Sequence, residues 1–270
     1  MSEFTFLSSD GQTALSAREY LPEGDPVGIV QIVHGIAEHI ARYDAFAAFL
    51  AEHGYIVVLH DQLGHGKSAP DEAHLGFFSE ENGWEKAVQD IRSLHDKTAA
   101  KYPGKPYFIF GHSMGSFLLR TYLYTYPDAV DKAVISGTGW EDPTKVRLGK
   151  LVCRLEQARV GETSTSKLVT KLMFGSYNKP FGAVTSPNAW ICSDEAVVAA
   201  YDADPLCGFD ATVGLARDLL TGVEMNEQPE NLDKMNKQLP LLFVSGSKDP
   251  VGGMAKGVLR CIDAFKRSGM

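Results

Sequence analysis

The stretch YFIFGHSMGSFLLRTYL, Tyr107 to Leu123, reads as a buried strand, a sharp turn carrying Ser113, and an amphipathic helix. Four apolar, β-prone residues lead into Gly111-His112-Ser113-Met114-Gly115, a G-x-S-x-G turn, and the helix that follows ends at Tyr126-Pro127. Gly111 and Gly115 let the backbone bend tightly, because a Cβ at either place would meet the neighbouring strand or helix. The bend lifts the Ser113 hydroxyl clear of the sheet. It also aims the first turn of the helix, with its unpaired N–H groups and positive dipole end, at the place where an oxyanion would form. Five residues of this pattern alone also describe an ordinary strand-to-helix turn. The strand before it and the helix after it favour a nucleophile elbow.

Outward from this turn, the first 140 residues alternate in type. Strands are expected at Thr5–Ser8, Ala14–Tyr20, Gly28–Val33, Ile56–His60, Tyr107–Phe110 and Ala133–Ser136, with helices at Tyr43–His53, Trp84–Lys101 and Ser116–Tyr126. Asp10-Gly11 is a hairpin signal between the first two strands. The later strands are continuous apolar runs separated by helices, which predicts an α/β fold with a mostly parallel sheet buried on both faces. From about Trp140 to Asp210 the pattern changes to short amphipathic helices. Leu148, Leu151, Val152 and Leu155 share one helical face, as do Leu168, Val169, Leu172 and Met173. This predicts a helical cap over residues 140–210, between core segments 1–139 and 211–270. The second core segment holds a helix near Ala211–Leu220, the strand Leu241–Gly246 and a helix from Gly253 to Lys266.

The bulk numbers exclude several classes. A net charge of −8 argues against nucleic acid as a partner. A hydrophobic content of 44% suffices for a sizeable core, yet no run of about 20 apolar residues could span a membrane. The N-terminus has no basic start or apolar stretch of a signal peptide. Four scattered cysteines, Cys153, Cys192, Cys207 and Cys261, read as reduced thiols of a cytoplasmic protein. No His, Cys or carboxylate group has ligand spacing, so neither metal nor organic cofactor is expected.

Three further motifs follow strands. His34-Gly35-Ile36-Ala37-Glu38 comes after GIVQIV, where a second oxyanion N–H belongs. We assign the two donors to the backbone N–H groups of Ile36 and Met114. His34, Gly35, Gly111, His112 and Gly115 are read as support for the elbow and its facing loop. Glu38 and Arg42, four apart, are expected to pair. The run Asp61-Gln62-Leu63-Gly64-His65-Gly66-Lys67-Ser68 ends like a phosphate loop but has Asp61 where that motif needs Gly, so it is read as a bracing loop. Gly246-Ser247-Lys248-Asp249-Pro250 follows the strand LLFV, where an acidic triad member belongs; it is also a turn-initiating Asp-Pro.

Together these motifs resemble the monoacylglycerol lipase and lysophospholipase branch of the α/β-hydrolase fold, with a serine aminopeptidase S33-type domain. HGIAEHIARY, DQLGHGKS, GHSMGS and GSKDPVGG carry the likeness, and DPLCGF at Asp204–Phe209 resembles the end of the cap in bacterial members. The resemblance implies an α/β-hydrolase core, a catalytic pair of Ser113 and Asp249, and a small acyl ester or lipid substrate. Transient contact of the cap with a membrane surface is also expected.

One departure stands out. The histidines are His34, His39, His53, His60, His65, His74, His95 and His112, and none follows Asp249, where the resemblance places the base. Gly269 reads as the residue that closes the last helix. Three readings stay open: a chain cut before its last strand, which we favour; a non-catalytic relative; or a substitute among the eight, with His112 expected to turn into the core. Loss of a neighbour for LLFV would uncover roughly 500 Å² of apolar surface, on the order of 12 kcal/mol, and favour self-association through that edge. Two functional alternatives also remain: a binding protein on a hydrolase scaffold, and a peptidase or thioesterase of the same fold. Serine at the elbow excludes the halide- and epoxide-cleaving enzymes of this fold, which use aspartate there.

Overall fold

The computed structural model describes residues 1–270. The strands are β1 (Ser2–Leu7), β2 (Ala14–Tyr20), β3 (Gly28–Val33), β4 (Tyr55–His60), β5 (Tyr107–His112), β6 (Lys132–Ser136) and β7 (Leu241–Val244). They form one sheet in the order β1-β2-β4-β3-β5-β6-β7. Only the β1–β2 and β2–β4 pairs are antiparallel. The helices are α1 (Asp44–Glu52), α2 (Gly83–Lys101), α3 (Met114–Thr125), α4 (Pro143–Val160), α5 (Lys167–Phe174), α6 (Glu195–Ala203), α7 (Val213–Asn226), α8 (Pro229–Asp233) and α9 (Lys256–Arg267).

The apolar run GIVQIV becomes β3, buried along its whole length, because helices cover both of its faces. Ile29 and Val33 point into the larger core with Ile91 of α2 and Leu118 of α3, while Val30 and Ile32 meet Ala47 and Ala51 of α1. Gln31, the one polar residue of β3, is fully buried and satisfied: its Nε2 donates to Ile91 O at 3.1 Å and its Oε1 accepts from the Tyr107 hydroxyl at 2.6 Å. The alternation continues to the last strand with a different outcome. Phe243 packs edge-on against Phe265 of α9, whereas Leu242 and Val244, on the opposite face, are 56% and 46% exposed.

Several boundaries differ from expectation. β1 begins at Ser2 rather than Thr5. Asp10-Gly11 does not make a two-residue hairpin; it sits in a wider loop in which Asp10 Oδ1 accepts from the N–H groups of Gln12 and Thr13, both at 2.8 Å. α7 runs on to Asn226 and is capped at its start by Thr212, whose Oγ1 accepts from Leu215 N–H. α9 starts three residues late because Met254 and Ala255 take left-handed backbone (φ 57° and 69°). Its far end closes as the sequence suggests: Gly269 has φ 92°, with bonds from Gly269 N–H to Lys266 O and from Met270 N–H to Phe265 O.

Buried acids give the fold a pH signature. Burial pushes the Asp90 carboxyl from 3.8 up to about 6, against hydrogen bonds donated by Ser9 N–H and the Ser8 hydroxyl. A folded value above the unfolded one means a contribution fully present below about pH 4 and lost as pH rises through 6. That difference corresponds to on the order of 3 kcal/mol. Asp90→Asn is therefore expected to flatten the fall in urea midpoint between pH 4.5 and pH 7.5, since the Ser8 hydroxyl can reverse and accept from the amide. An unchanged slope would contradict this.

Candidate active site

The elbow forms where β5 ends and α3 begins. Ser113 has φ 51° and ψ −120°, a conformation that costs a non-glycine residue about 1–3 kcal/mol. Its surroundings hold it there. Ser113 N–H donates to Ser136 O at 2.9 Å, and its carbonyl accepts from Ser116 N–H and the Ser116 hydroxyl. The flanking glycines are required by close backbone approach: a Cβ on Gly115 would lie 2.2 Å from Val33 O, and one on Gly111 would lie 2.5 Å from Gly115 O.

The loop after β3 faces the same serine. A Cβ on Gly35 would stand 3.1 Å from Ser113 Cβ. The next residue, Ile36, and the first of α3, Met114, have backbone N–H groups with no hydrogen-bond acceptor in the protein. Their side chains pack into the core. Buried polar groups brace this loop from below. His34 donates from Nδ1 to Gly35 O and accepts at Nε2 from Gln62 N–H at 3.0 Å, which fixes a neutral ring, and burial lowers its pKa. Glu38 accepts from Gly35 N–H at 2.6 Å and the Tyr43 hydroxyl at 2.7 Å, and pairs with Arg42. Burial works to raise its pKa, but His112 and Arg42 outweigh it and the carboxyl lies below its ordinary value.

The glycine-rich loop after β4 is also a brace. Asp61 accepts from Ile40 N–H and Lys67 N–H, and Ser68 ties Asp61 O to Ser16 N–H. His60 and His65 are buried, and desolvation lowers both to about 3. His39 is bound to Asp204, and His95 is held between Asp96 and Ala129 O.

Asp249 follows β7. Its Oδ1 accepts from Val251 N–H at 2.9 Å and its Oδ2 from the Ser245 hydroxyl at 3.2 Å. His112 does not turn into the core as expected. It is half-buried, lies 3.1 Å from Ser136 Oγ through Nδ1, and rests against Gly137. A Cβ on Gly137 would meet the His112 ring at 3.1 Å and Asp249 Oδ2 at 3.6 Å, so the two side chains flank one glycine. Alternation explains the difference: His112 takes the sheet face shared with Val244, where no helix packs against β6 and β7.

The helical segment between β6 and α7 contributes an aromatic group. Phe174 stacks on Trp190 at 6.1 Å, and Tyr177 meets Trp190 edge-on at 4.8 Å. Burial, and then the carboxylates of Glu141 and Asp249, raise the Tyr177 phenol. Met173 packs with Cys153, Val169 and Ala216 in the seam of α4, α5 and α7.

Sequence reasoning missed the anchor of the loop after β3. Ala37 has φ 53°, and its carbonyl accepts from Gly208 N–H at 2.9 Å and the Tyr201 hydroxyl at 2.7 Å. It also missed the grouping of His39, Asp204 and Cys207, whose ligand-capable atoms lie within 4.8 Å of one another. Asp204 is already engaged by His39 Nε2 at 2.8 Å and Leu206 N–H at 2.9 Å, and the Arg42 cation acts on Cys207. We read the group as a tether. No local spacing betrays it, because 165 residues separate His39 from Asp204. A separate polar cleft of about 430 Å³, beside Asp10 and Lys86, contains none of these residues.

The arrangement has relatives. The chain is 30% identical over 244 residues to a monoacylglycerol lipase of Mycolicibacterium smegmatis, covering 87% of this chain and 75% of the relative. It is 29% identical to the monoglyceride lipase of Mus musculus, covering 90% and 72%. Its structure matches a thermostable carboxyl esterase from Bacillus coagulans, solved with glycerol, with a TM-score of 0.91, 29% identity, and 99% and 86% coverage. The serine aminopeptidase S33 family model matches residues 24–268, and the chain belongs to that family, on the α/β-hydrolase fold.

Proposed function

We propose that the chain is a serine ester hydrolase that takes single-chain acyl esters of glycerol or lysophospholipid type, with Ser113 as nucleophile. The observation that carries this reading is the strained Ser113 beside two N–H groups, of Ile36 and Met114, that have no acceptor in the protein. Ser113 Oγ attacks the ester carbonyl while those N–H groups hold the oxyanion. The serine proton passes through an imidazole to the departing alcohol, and water then releases the acid. Asp249 is the group that would orient that imidazole. Residues 140–210 form the cap in this reading, and 1–139 with 211–270 the core.

The aromatic group near Asp249 favours an acyl chain over a peptide. Phe174, Tyr177 and Trp190 are apolar partners for alkyl groups. The monoacylglycerol lipases and the carboxyl esterase among the relatives agree with the ester reading.

Acyl transfer to the protein tests it. In imidazole buffer, p-nitrophenyl octanoate is expected to leave an octanoyl group on Ser113, seen by intact mass and peptide mapping. Ser113→Ala is expected to carry none, and aminoacyl p-nitroanilides to give no adduct. Failure of every ester to mark Ser113 would overturn the assignment.

A further inference from the structure

His39, Asp204 and Cys207 present three kinds of metal donor at one point, where the loop after β3 meets the segment between α6 and α7. One ligand atom from each lies within 4.8 Å of the other two, and His39 Nε2 already stands 2.8 Å from Asp204 Oδ2. It is the one place in the chain where His, Cys and carboxylate side chains converge in threes. His39 and Cys207 are buried, whereas the Asp204 side chain is 31% exposed, so an ion has a way in from solvent.

The backbone sets these donors in place without help from an ion. Cys207 N–H donates to Asp204 O at 3.0 Å, and this turn brings the thiol back to the carboxylate. Leu206 N–H donates to Asp204 Oδ1 at 2.9 Å, which orients the carboxylate and leaves Oδ2 toward His39. On the other side, the Tyr201 hydroxyl and Gly208 N–H hold Ala37 O, two residues before His39. Tetrahedral zinc, with bonds of about 2.0–2.3 Å, needs its ligand atoms about 3.3–3.6 Å apart. The group reaches that spacing by side-chain shifts of about 1 Å.

We infer that His39 Nε2, Asp204 Oδ2 and Cys207 Sγ form a zinc site that clamps the loop after β3 to the segment between α6 and α7. The donor set selects the ion: imidazole, carboxylate and thiolate together suit zinc, while magnesium and calcium take oxygen donors alone. On binding, the imidazole proton sits on Nδ1 and the Cys207 thiol gives up its proton to solvent. A carboxylate and a thiolate then meet a dication, and the buried group is neutral. The exposed side of Asp204 leaves the fourth position to water, as in other sites with three protein ligands. Such an ion exchanges with solution, so it acts as a removable clamp on the loop that carries Ile36. The inference does not rest on the chemistry at Ser113.

Cobalt(II) as a spectroscopic stand-in for zinc tests it, with the full chain kept reduced by a phosphine. An equimolar amount of cobalt is expected to give the near-ultraviolet charge-transfer band of a cobalt–thiolate bond, and an equimolar amount of zinc to bleach it. Cys207→Ser is expected to abolish the band and to weaken zinc binding at least about 100-fold in competition with a chromophoric chelator, the upper range for losing even an outer partner of a metal ligand. His39→Gln is expected to weaken zinc binding similarly. Ser113→Ala and Cys192→Ser are expected to bind as the parent does. In the parent, zinc is expected to slow amide exchange over residues 36–42 at least about fivefold, and in Cys207→Ser to leave it unchanged. Absence of the charge-transfer band from the parent overturns the inference, whether or not the variants fold. So does a band that survives Cys207→Ser or vanishes in Cys192→Ser, since either places the ion elsewhere.

Discussion

The 270-residue chain is expected to hydrolyse p-nitrophenyl butyrate only about 10³–10⁴-fold faster than water, and added imidazole to raise that rate on the order of 10²-fold. In the proposed mechanism the N–H groups of Ile36 and Met114 hold the oxyanion without a base, which sets the floor. The ceiling is distant, because lack of the base in such a triad costs about 10⁶ in turnover. No histidine follows Asp249, and Asp249 cannot take the base's place: its oxygens already accept from Val251 N–H and the Ser245 hydroxyl, across Gly137 from His112. Imidazole from solution can do so, and the gain is expected to saturate. Ser113→Ala is expected to abolish the saturable part, and Asp249→Ala to remove most of it. Turnover at tens per second without imidazole, lost in Ser113→Ala, would mean that a histidine of the chain acts as base. His112→Gln would then be the first variant to test.

Gly115→Ala is expected to cost at least about 3 kcal/mol of stability, at the upper end for overpacking. A Cβ there meets two backbone oxygens, Val33 O at 2.2 Å and His34 O at 2.6 Å, and neither can move without shifting β3 against α3. Gly11→Ala is the control. Gly11, unlike the helical Gly115, has left-handed backbone, with φ 78°, but nothing stands within 4 Å of the added carbon. Its cost is that of the dihedral alone, about 1–2 kcal/mol. Urea midpoints of both variants measure the difference, and equal losses would mean that the elbow yields more easily than its contacts indicate.

The order of elements through β6 was legible because apolar runs of strand length alternate with longer helical patterns, as in GIVQIV and YIVVLH. The elbow was legible because its chemistry is local: glycines, the serine and a helix start within nine residues of strand end. What period cannot reveal is which side of a helix faces inward. The leucines of α4 make a regular face, and the natural reading buries them; the structure buries Val146 and Cys153 instead, and a Cβ on Gly149 would stand 2.9 Å from Leu220 Cδ1. Likewise β7 has an apolar sequence, yet alternate residues of it meet solvent. His112 was misplaced for a related reason, since its side of the sheet depends on what covers β6 and β7. The contacts from Tyr201 and Asp204 to the loop after β3 join residues more than 160 positions apart, and a single sequence holds no record of such pairs.

The anchoring of Ala37 has a consequence for protein engineering. The inserted helices and the scaffold beneath them invite treatment as interchangeable parts, to be recombined among relatives in search of new selectivity. Tyr201 and Gly208, however, grip the carbonyl beside the N–H of Ile36. A transplant that exchanges residues 143–192 and leaves 195–210 native keeps that grip. One that replaces the whole insertion must import a hydroxyl and a tight turn in the same two places, or the recipient loses the shape of its own reaction centre.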